Sequence, residues 1–393
     1  MWECKKLRLC IFPNDPLQAY FDKGEIKERY YNPNNFFDEI HVISLIDKDV
    51  EETKVKITVG NAKLKIHSVG KINIKNRNSN LERITELVEK IDPDVIRAYN
   101  PFVEGWLAAK CAKKLNIPFY LSLHTQYDYN RKLVKKRNLK KFFALKYTEK
   151  FIEPFVLENA DKITIVFKII ESYVKKHSDK KPELLYNKID FNRFANATSK
   201  EELKKPLILS VGNLIETKKH KLILEAMKSI EANCLIIGNG ELFDDLKQFI
   251  KKNKLENKVK IEKSVNHNEI QRYYKSASVF ALAFDPYQEG LPMPIMEAMA
   301  SGLPVVIPFP KKDYSDGLEN IAVFSKRDAK SFSENINKLL NDESLRQKFV
   351  EKSITKAKEF DIVVLEKREE KIYHELLKKW TINSQSTNSY NSK

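Results

Sequence analysis

Short runs of apolar, mostly β-branched residues alternate with longer amphipathic stretches along the whole chain. Each short run has the length and composition of a buried strand, and each longer stretch has the apolar spacing of a helix. In the first half, strands are predicted at residues 7–12, 40–45, 95–98 and 119–123, and helices at 81–91 and 102–115. Because strands that alternate with helices indicate parallel sheets with right-handed crossovers, the expected fold class is α/β.

The second half repeats this pattern, with strands predicted at residues 207–211, 234–237 and 279–284 and a helix after each of them. A polar stretch without apolar period separates the halves and predicts two domains, residues 1–195 and residues 206–360. A charged helix is predicted over residues 361–380, and the Ser/Asn-rich residues 381–393 are expected to be disordered. Residues 55–69 alternate around Gly60-Asn61, which predicts a β-hairpin.

Composition narrows the class of protein. The 393 residues are 42% hydrophobic and 32% charged, which is too apolar for a disordered chain and too charged for a bundle of membrane helices. The longest apolar run, residues 279–284, is far shorter than the ~20 residues that a spanning helix needs. The four cysteines lack metal-ligand spacing, so we expect neither a disulfide scaffold nor a zinc site, and we expect a reducing cytoplasm.

The net charge is +16, of which +11 falls in residues 1–195. Such an excess implies an anionic partner: nucleic acid, acidic lipid or a phosphorylated substrate. Residues 131–150 hold nine basic residues against Glu149 alone, interleaved with apolar residues. This stretch is either a basic amphipathic helix that lies on an anionic membrane or a solvated helix whose other face packs in the core. Nucleic acid is not expected, because no aromatic RNA motif or helix-turn-helix pattern accompanies the charge.

Only 10 residues are glycine, so we expect each to mark a position where the backbone conformation or a close approach favours glycine. Gly212 and Gly238 each end a predicted strand, and Gly240 and Gly290 lie in the loops that follow strands. Ligands of open α/β sheets bind at the carboxyl ends of strands, so these glycines outline a ligand site in the second domain. Tight turns without a ligand are the alternative. Residues 238–240 carry only part of a dinucleotide fingerprint, so no NAD site is expected.

Residues 285–306 carry the most specific chemistry. A loop follows the predicted strand, Pro292 or Pro294 suits the first turn of a helix, and Gly302 suits its end. Glu289 falls in the loop at the mouth of this helix, and Glu297 falls about one turn inside it. Free N–H groups at a helix N-terminus attract phosphate, and carboxylates accept hydrogen bonds from hydroxyl groups. The expected ligand therefore carries phosphate and a polyol, unless both glutamates are ordinary solvated residues.

This stretch resembles the retaining family-4 glycosyltransferases, which pair two glutamates in the contexts Glu-Gly-Leu-Pro and Glu-Ala-Met-Ala-Ser-Gly-Leu-Pro-Val-Val. The resemblance implies the GT-B fold, in which two Rossmann-like domains face each other and a C-terminal helix crosses back to the first. It implies that Glu289 contacts hydroxyls of a donor sugar and that Glu297 contacts the ribose of a nucleotide. The backbone of Gly290 and Leu291 would lie beside the donor.

Two further loops resemble the same family. Residues 212–218 are similar to its Gly-Arg-Leu-x-x-x-Lys loop, which implies that Lys218 neutralises the diphosphate of the leaving nucleotide. Asn213 stands where the family has arginine, so one customary cation is missing. Gly238 and Gly240 resemble the family's Gly-x-Gly turn beside the donor.

The first domain resembles the family less closely. His124 follows a predicted strand at a position where family members often carry a histidine near the donor sugar, and Asp128 is a weaker candidate. The family's Gly-Gly turn after the first strand is replaced by Pro13-Asn14-Asp15-Pro16. The resemblance therefore does not identify an acceptor pocket.

The expected function is transfer of a hexose-like sugar from a nucleotide-sugar donor to a hydroxyl acceptor, with retention at the anomeric carbon and Glu289, Lys218 and His124 as catalytic residues. A lipid-linked molecule or a surface-polysaccharide precursor is the expected kind of acceptor, and neither a metal nor a cofactor is expected. The alternatives are a non-catalytic basic binding protein on the same fold and a nucleotide-sugar epimerase. The expected location is the cytoplasm, with reversible binding to the inner face of a membrane.

Overall fold

The computed structural model describes residues 6–266 and 268–390, with side chains up to residue 380. These residues form two compact units. The first unit runs to Val166 and also contains Ile170–Leu185 and the chain from Glu366 onward, while the second contains Phe167–Ile169 and Tyr186–Leu365. Each unit is built on one parallel sheet, which confirms the predicted α/β class.

The sheet of the first unit has seven strands in the described chain, in the order β3-β2-β1-β4-β5-β6-β7. The central strands at residues 95–98 and 119–123 are buried along their whole length, and the strand at residues 8–12 is buried from Leu9 onward, as expected for parallel strands covered by helices on both faces. The strands are β1 (Arg8–Phe12), β2 (Glu39–Ser44), β3 (Lys63–Ser68), β4 (Val95–Ala98), β5 (Phe119–Leu123), β6 (Lys162–Ile165) and β7 (Glu183–Leu184). The helices are α1 (Leu17–Asp22), α2 (Glu52–Val55), α3 (Arg77–Ile91), α4 (Val103–Leu115), α5 (Tyr127–Arg137), α6 (Leu139–Phe151), α7 (Glu153–Asn159) and α8 (Glu171–His177).

The sheet of the second unit has the order β10-β9-β8-β11-β12-β13, the doubly wound order of a Rossmann-like domain. Its strands are β8 (Leu207–Val211), β9 (Asn233–Ile237), β10 (Val259–Glu262), β11 (Val279–Ala281), β12 (Val305–Pro308) and β13 (Val323–Ser325). Its helices are α9 (Phe191–Ala195), α10 (His220–Ala226), α11 (Phe243–Lys252), α12 (Ile270–Ser276), α13 (Met293–Ala300), α14 (Ala329–Asn341) and α15 (Glu343–Ala357). The order reverses between β8 and β11, and this switch point is where ligands of such sheets bind.

The last helix, α16 (Ile362–Tyr390), joins the first unit from Glu366 onward. Its anchor is Glu369, whose Oε1 lies 2.5 Å from Nη1 of Arg97 on β4. The same Nη1 donates to the hydroxyl of Tyr373 at 2.7 Å, and all three side chains are buried. Every helix within the described ranges is too short or too polar to cross a bilayer.

The predicted hairpin at residues 55–69 is wrong. The segment begins as the end of α2 and a 3₁₀ turn at Lys56–Val59, and only its second half is a strand, β3, which pairs in parallel with β2. Val55, Thr58 and Val59 are buried at helical spacing, and the alternation that suggested two strands belongs to β3 alone. Gly60, at φ +55°, closes the turn between these elements.

The unit boundaries differ from the predicted domain boundaries at residues 195 and 381. Residues 186–195 pack with the second unit, where Ile189 bridges to Asp361 and Arg193 donates to Gln271. Residues 381–390, expected to be disordered, continue α16, since a helix already nucleated on the first unit extends by one hydrogen bond per residue. The remainder of that predicted tail, residues 391–393, lies outside the described residues.

Candidate active site

Two loops at the carboxyl ends of β8 and β9 pack backbone against backbone. Leu214 N donates to Asn239 O at 2.8 Å, and Leu242 N donates to Leu214 O at 3.0 Å. A Cβ added to Gly238 would lie 1.9 Å from Gly212 O, and one added to Gly240 would lie 2.5 Å from Leu214 O. The predicted glycines are therefore required by this close approach, which fixes the loop that begins at Gly212.

Lys218 and Glu289 come together at the switch point. Lys218 lies in the 3₁₀ turn Glu216–Lys218, and its Nζ is 2.6 Å from Oε2 of Glu289. The lysine is buried, whereas the Glu289 side chain keeps 30% of its surface exposed. A backbone hydrogen bond from Asp285 N to Thr217 O, 2.9 Å long, ties the two loops together beside the pair. The arrangement presents a buried cation and a partly exposed carboxylate at one point.

Asp285, which sequence reasoning missed, shapes the loop that carries Glu289. Its carbonyl oxygen accepts from Gln288 N and Glu289 N, and its Oδ1 accepts from Tyr287 N at 3.1 Å. Arg327 Nη1 lies 3.4 Å from the same carboxylate oxygen. An Asp that accepts from the backbone two residues ahead is a familiar turn device, so the run Asp-Pro-Tyr was the available signal.

Gly290 lies against a buried carboxyl group. A Cβ at this position would lie 2.4 Å from Oδ2 of Asp316 and 3.1 Å from Cβ of Phe167. Asp316 is fully buried; its Oδ1 accepts from Lys168 N at 2.7 Å, and its Oδ2 has no hydrogen-bond partner among the described residues. Burial raises the pKa of Asp316 to about 6. No local sequence signal links Asp316 to Gly290.

Helix α13 begins and ends as predicted. Pro292 precedes its first residue, Pro294 lies in its first turn, and Gly302, at φ +78°, follows its last turn. Leu291 is buried at its mouth. The N-terminus of α13 therefore points into the loop that carries Glu289, where its partial positive charge favours an anion.

Glu297 is half-buried on α13 and holds a specific partner. Its Oε2 accepts from the hydroxyl of Tyr274 on α12 at 2.8 Å. Burial raises the pKa of the Tyr274 phenol, and the negative charge of Glu297 raises it further. Tyr274 therefore stays a neutral donor that orients the carboxylate, a role that the sequence did not reveal.

Asn213 and His220 complete the surroundings of Lys218. Asn213 is exposed in the loop after β8, whereas His220 is buried with its Nδ1 3.3 Å from Oγ of Ser210. Burial lowers the pKa of His220 to about 4, and the charge of Lys218 lowers it further. His220 is thus neutral at pH 7 and adds no second cation to this loop.

His124 lies in the first unit, directly after β5. Its ring is 5.7 Å from the ring of Tyr99, and its Nε2 is buried without a hydrogen-bond partner in the part of the chain that is described. Burial lowers the pKa of His124 to about 4, with Arg97 as the next cause. The imidazole is neutral at pH 7, so it can accept or donate one proton in a hydrogen bond. Its catalytic role remains a prediction.

Asp128 has a structural role. It accepts from Arg131 at 2.6 Å, from Lys176 at 3.0 Å and from His177 at 3.1 Å. Burial opposes its ionisation, but these hydrogen bonds hold its pKa well below the ordinary value. Asp128, Glu149 and His177 offer ligand atoms within 4.8 Å of one another, as a metal site would require. The surrounding cations already balance their charge.

The chain matches two family models that adjoin in sequence. The model described as "Glycosyltransferase Family 4" matches residues 38–193, and the model described as "Glycosyl transferases group 1" matches residues 192–356. The second match contains Lys218, Glu289 and Glu297.

Similar proteins agree with these matches. An uncharacterised glycosyltransferase of Methanocaldococcus jannaschii is 25% identical over 74% of this chain and 78% of its own length. A relative from Campylobacter jejuni is 31% identical over 47% of this chain, and the match spans 52% of that relative's own length. That relative is named N-acetylgalactosamine-N,N'-diacetylbacillosaminyl-diphospho-undecaprenol 4-alpha-N-acetylgalactosaminyltransferase. The crystal structure of HepE from Anabaena in complex with UDP superposes with a TM-score of 0.70 at 14% identity, over 94% of this chain and 100% of that one.

Proposed function

Because the chain belongs to the group 1 glycosyltransferases of the GT-B fold, we propose that it transfers a hexose-like sugar from a uridine-diphosphate donor to a hydroxyl group of a lipid-linked acceptor. Transfer proceeds with retention at the anomeric carbon. The observation that carries this proposal is the contact between Lys218 and Glu289 at the mouth of α13.

The charged and polar groups at this point suit a nucleotide-sugar. Lys218 and the N-terminus of α13 stabilise the diphosphate as negative charge develops on the leaving group. Glu289 accepts hydrogen bonds from sugar hydroxyls, and Glu297, held by Tyr274, accepts them from the ribose. The bond from the anomeric carbon to the diphosphate oxygen breaks. The acceptor hydroxyl attacks the anomeric carbon from the same face and gives its proton to the departing diphosphate oxygen.

The donor and acceptor classes are supported by the similar proteins. UDP is bound in the Anabaena structure, which supports a uridine nucleotide. The name of the Campylobacter relative specifies a sugar on undecaprenyl diphosphate as acceptor, which supports a lipid-linked acceptor here. We propose that the protein meets this acceptor at the cytoplasmic face of a membrane. Because Asn213 is neutral, Lys218 is the cation that residues 212–218 supply to the diphosphate. The proposed reaction uses neither a metal nor a cofactor.

The test is a donor and acceptor screen. The protein is incubated with a panel of UDP- and GDP-sugars and with undecaprenyl-diphosphate-linked sugars, and products are measured by mass and by the NMR coupling constant of the new anomeric proton. We expect a product one hexose heavier, of the same anomeric configuration as the donor. A sugar isomer formed without acceptor would instead identify an epimerase. UDP that raises the melting temperature without any turnover would identify a binding protein.

A further inference from the structure

Helix α6 exposes a stripe of large apolar side chains. Leu139, Phe143, Tyr147 and Phe151 are 59%, 67%, 39% and 55% exposed. They are spaced four residues apart, so they lie on one face of the helix. A stripe of this size on the surface marks a place where the protein meets an apolar partner, because large aromatic side chains gain from leaving water.

Lysines flank this apolar stripe on both sides. At 100° per residue, Lys140 and Lys146 lie about 60° to either side of Phe143, and Lys150 lies about 20° from it. All three lysines are exposed, as are Lys135 and Lys136 at the end of α5. Long lysine side chains can extend past the apolar stripe and place their ammonium groups at the level of phosphates.

The opposite face of α6 is fixed to the first unit. Thr148 is buried and donates to Glu153, and Glu149 pairs with Arg131 and Lys176. Arg131 is itself buried, so it belongs to this internal network and not to the exposed basic surface. The basic stretch thus divides: its inner side holds α6 in place, and its outer side presents lysines and apolar residues together.

We propose that α6 docks the protein on an anionic phospholipid surface. The apolar stripe enters the boundary between headgroups and acyl chains, and the flanking lysines contact lipid phosphates. Charge complementarity favours an anionic lipid surface as the partner of this face. A second copy of the chain is disfavoured, because its lysines would repel the lysines of the first. The proposal rests on the surface of α6 and holds whether or not the protein transfers a sugar.

The experiment is sedimentation with vesicles of phosphatidylcholine alone or mixed with phosphatidylglycerol. We expect binding to the mixed vesicles alone, weakening as salt rises. Lys140→Glu with Lys150→Glu should reduce partitioning about thirtyfold or more, whereas the control pair Lys251→Glu with Lys252→Glu, at exposed positions of α11, should leave it unchanged. Equal loss in both pairs would overturn the assignment to α6.

A fluorescence measurement reports insertion directly. In Phe143→Trp, the emission of the new indole should shift to the blue on adding mixed vesicles. The control is Phe309→Trp, at a phenylalanine that is 55% exposed on the second unit, and it should not shift. No shift in either variant, or equal binding to neutral and acidic vesicles, would overturn the proposal. Stabilisation by UDP should be unchanged in every α6 variant, which separates this test from that of the proposed function.

Discussion

Lys218 Nζ and Glu289 Oε2 are 2.6 Å apart, although the two residues are 71 positions apart in sequence and come from different loops. The contact joins the loop after β8 to the loop after β11 at the switch point of the sheet. In the proposed function, Lys218 neutralises the leaving diphosphate and Glu289 holds the transferred sugar, and this contact brings the two side chains close enough to act on one donor. The geometry around this pair, together with the buried contact between Glu369 and Arg97, predicts five outcomes.

Tyr274→Phe should weaken nucleotide binding without unfolding the protein. The substitution removes the hydroxyl that donates to Glu297 and leaves the ring in the core. A hydrogen bond to a charged group contributes about 1.5–3 kcal/mol, so the Kd for UDP should rise about tenfold or more. Tyr273→Phe, on the same helix, is the control, because its hydroxyl contacts Lys200 instead. Calorimetric titration would decide, and equal affinities for UDP in the two variants would contradict the role given to Tyr274.

Gly290→Ala should destabilise the protein because its Cβ would collide with Asp316 Oδ2 at 2.4 Å. Overpacking of this kind costs about 1–3 kcal/mol. Adding Asp316→Ala should recover most of the loss, because it removes the group that is struck. Denaturant unfolding of the two single variants and the double variant gives the coupling energy directly. Additive effects would show that the two residues do not meet.

His220 should make stability fall in mild acid. Its pKa is about 4 in the folded protein, against about 6.5 in the unfolded chain, so the unfolded state takes up its proton first. The free energy of unfolding therefore decreases as pH falls from about 7 to 4, with a contribution from His220 of up to about 1.4 kcal/mol per pH unit. His220→Asn should flatten this dependence. Denaturant unfolding at a series of pH values between about 7 and 4 measures the slope, and an unchanged slope in His220→Asn would contradict this prediction.

Glu369→Gln should be among the most damaging single changes in the first unit. The carboxylate lies buried against Arg97, and its removal leaves the guanidinium charge without its anion in the core. Breaking a buried pair in this way costs about 3–5 kcal/mol. Glu370→Gln, the next residue on the same helix, is half-buried and serves as the control. Similar melting temperatures for the two variants would refute the anchoring role of Glu369.

The parallel sheets and helix α13 were predictable because their signals are local. Apolar runs predicted β1, β2, β4, β5, β8, β9 and β11, and the positions of Pro292 and Gly302 predicted both ends of the helix. The contacts of Asp316 and Tyr274 were not predictable, since each depends on a partner brought near by the sheet topology. The hairpin prediction for residues 55–69 was wrong for another reason. The alternation belongs to β3 alone, and it was extended to residues before Gly60 that form a helical turn.

The central claim is that Glu289 acts on a sugar donor beside Lys218, and steady-state kinetics of Glu289→Gln tests it most directly. The control is Glu216→Gln, which changes an exposed glutamate in the loop of Lys218. With the donor and acceptor that the screen identifies, Glu289→Gln should lower kcat about a hundredfold or more, because an interaction with the reacting sugar is lost, while UDP still raises the melting temperature. Glu216→Gln should keep the turnover of the unmodified protein. Unchanged kcat in Glu289→Gln would contradict the account.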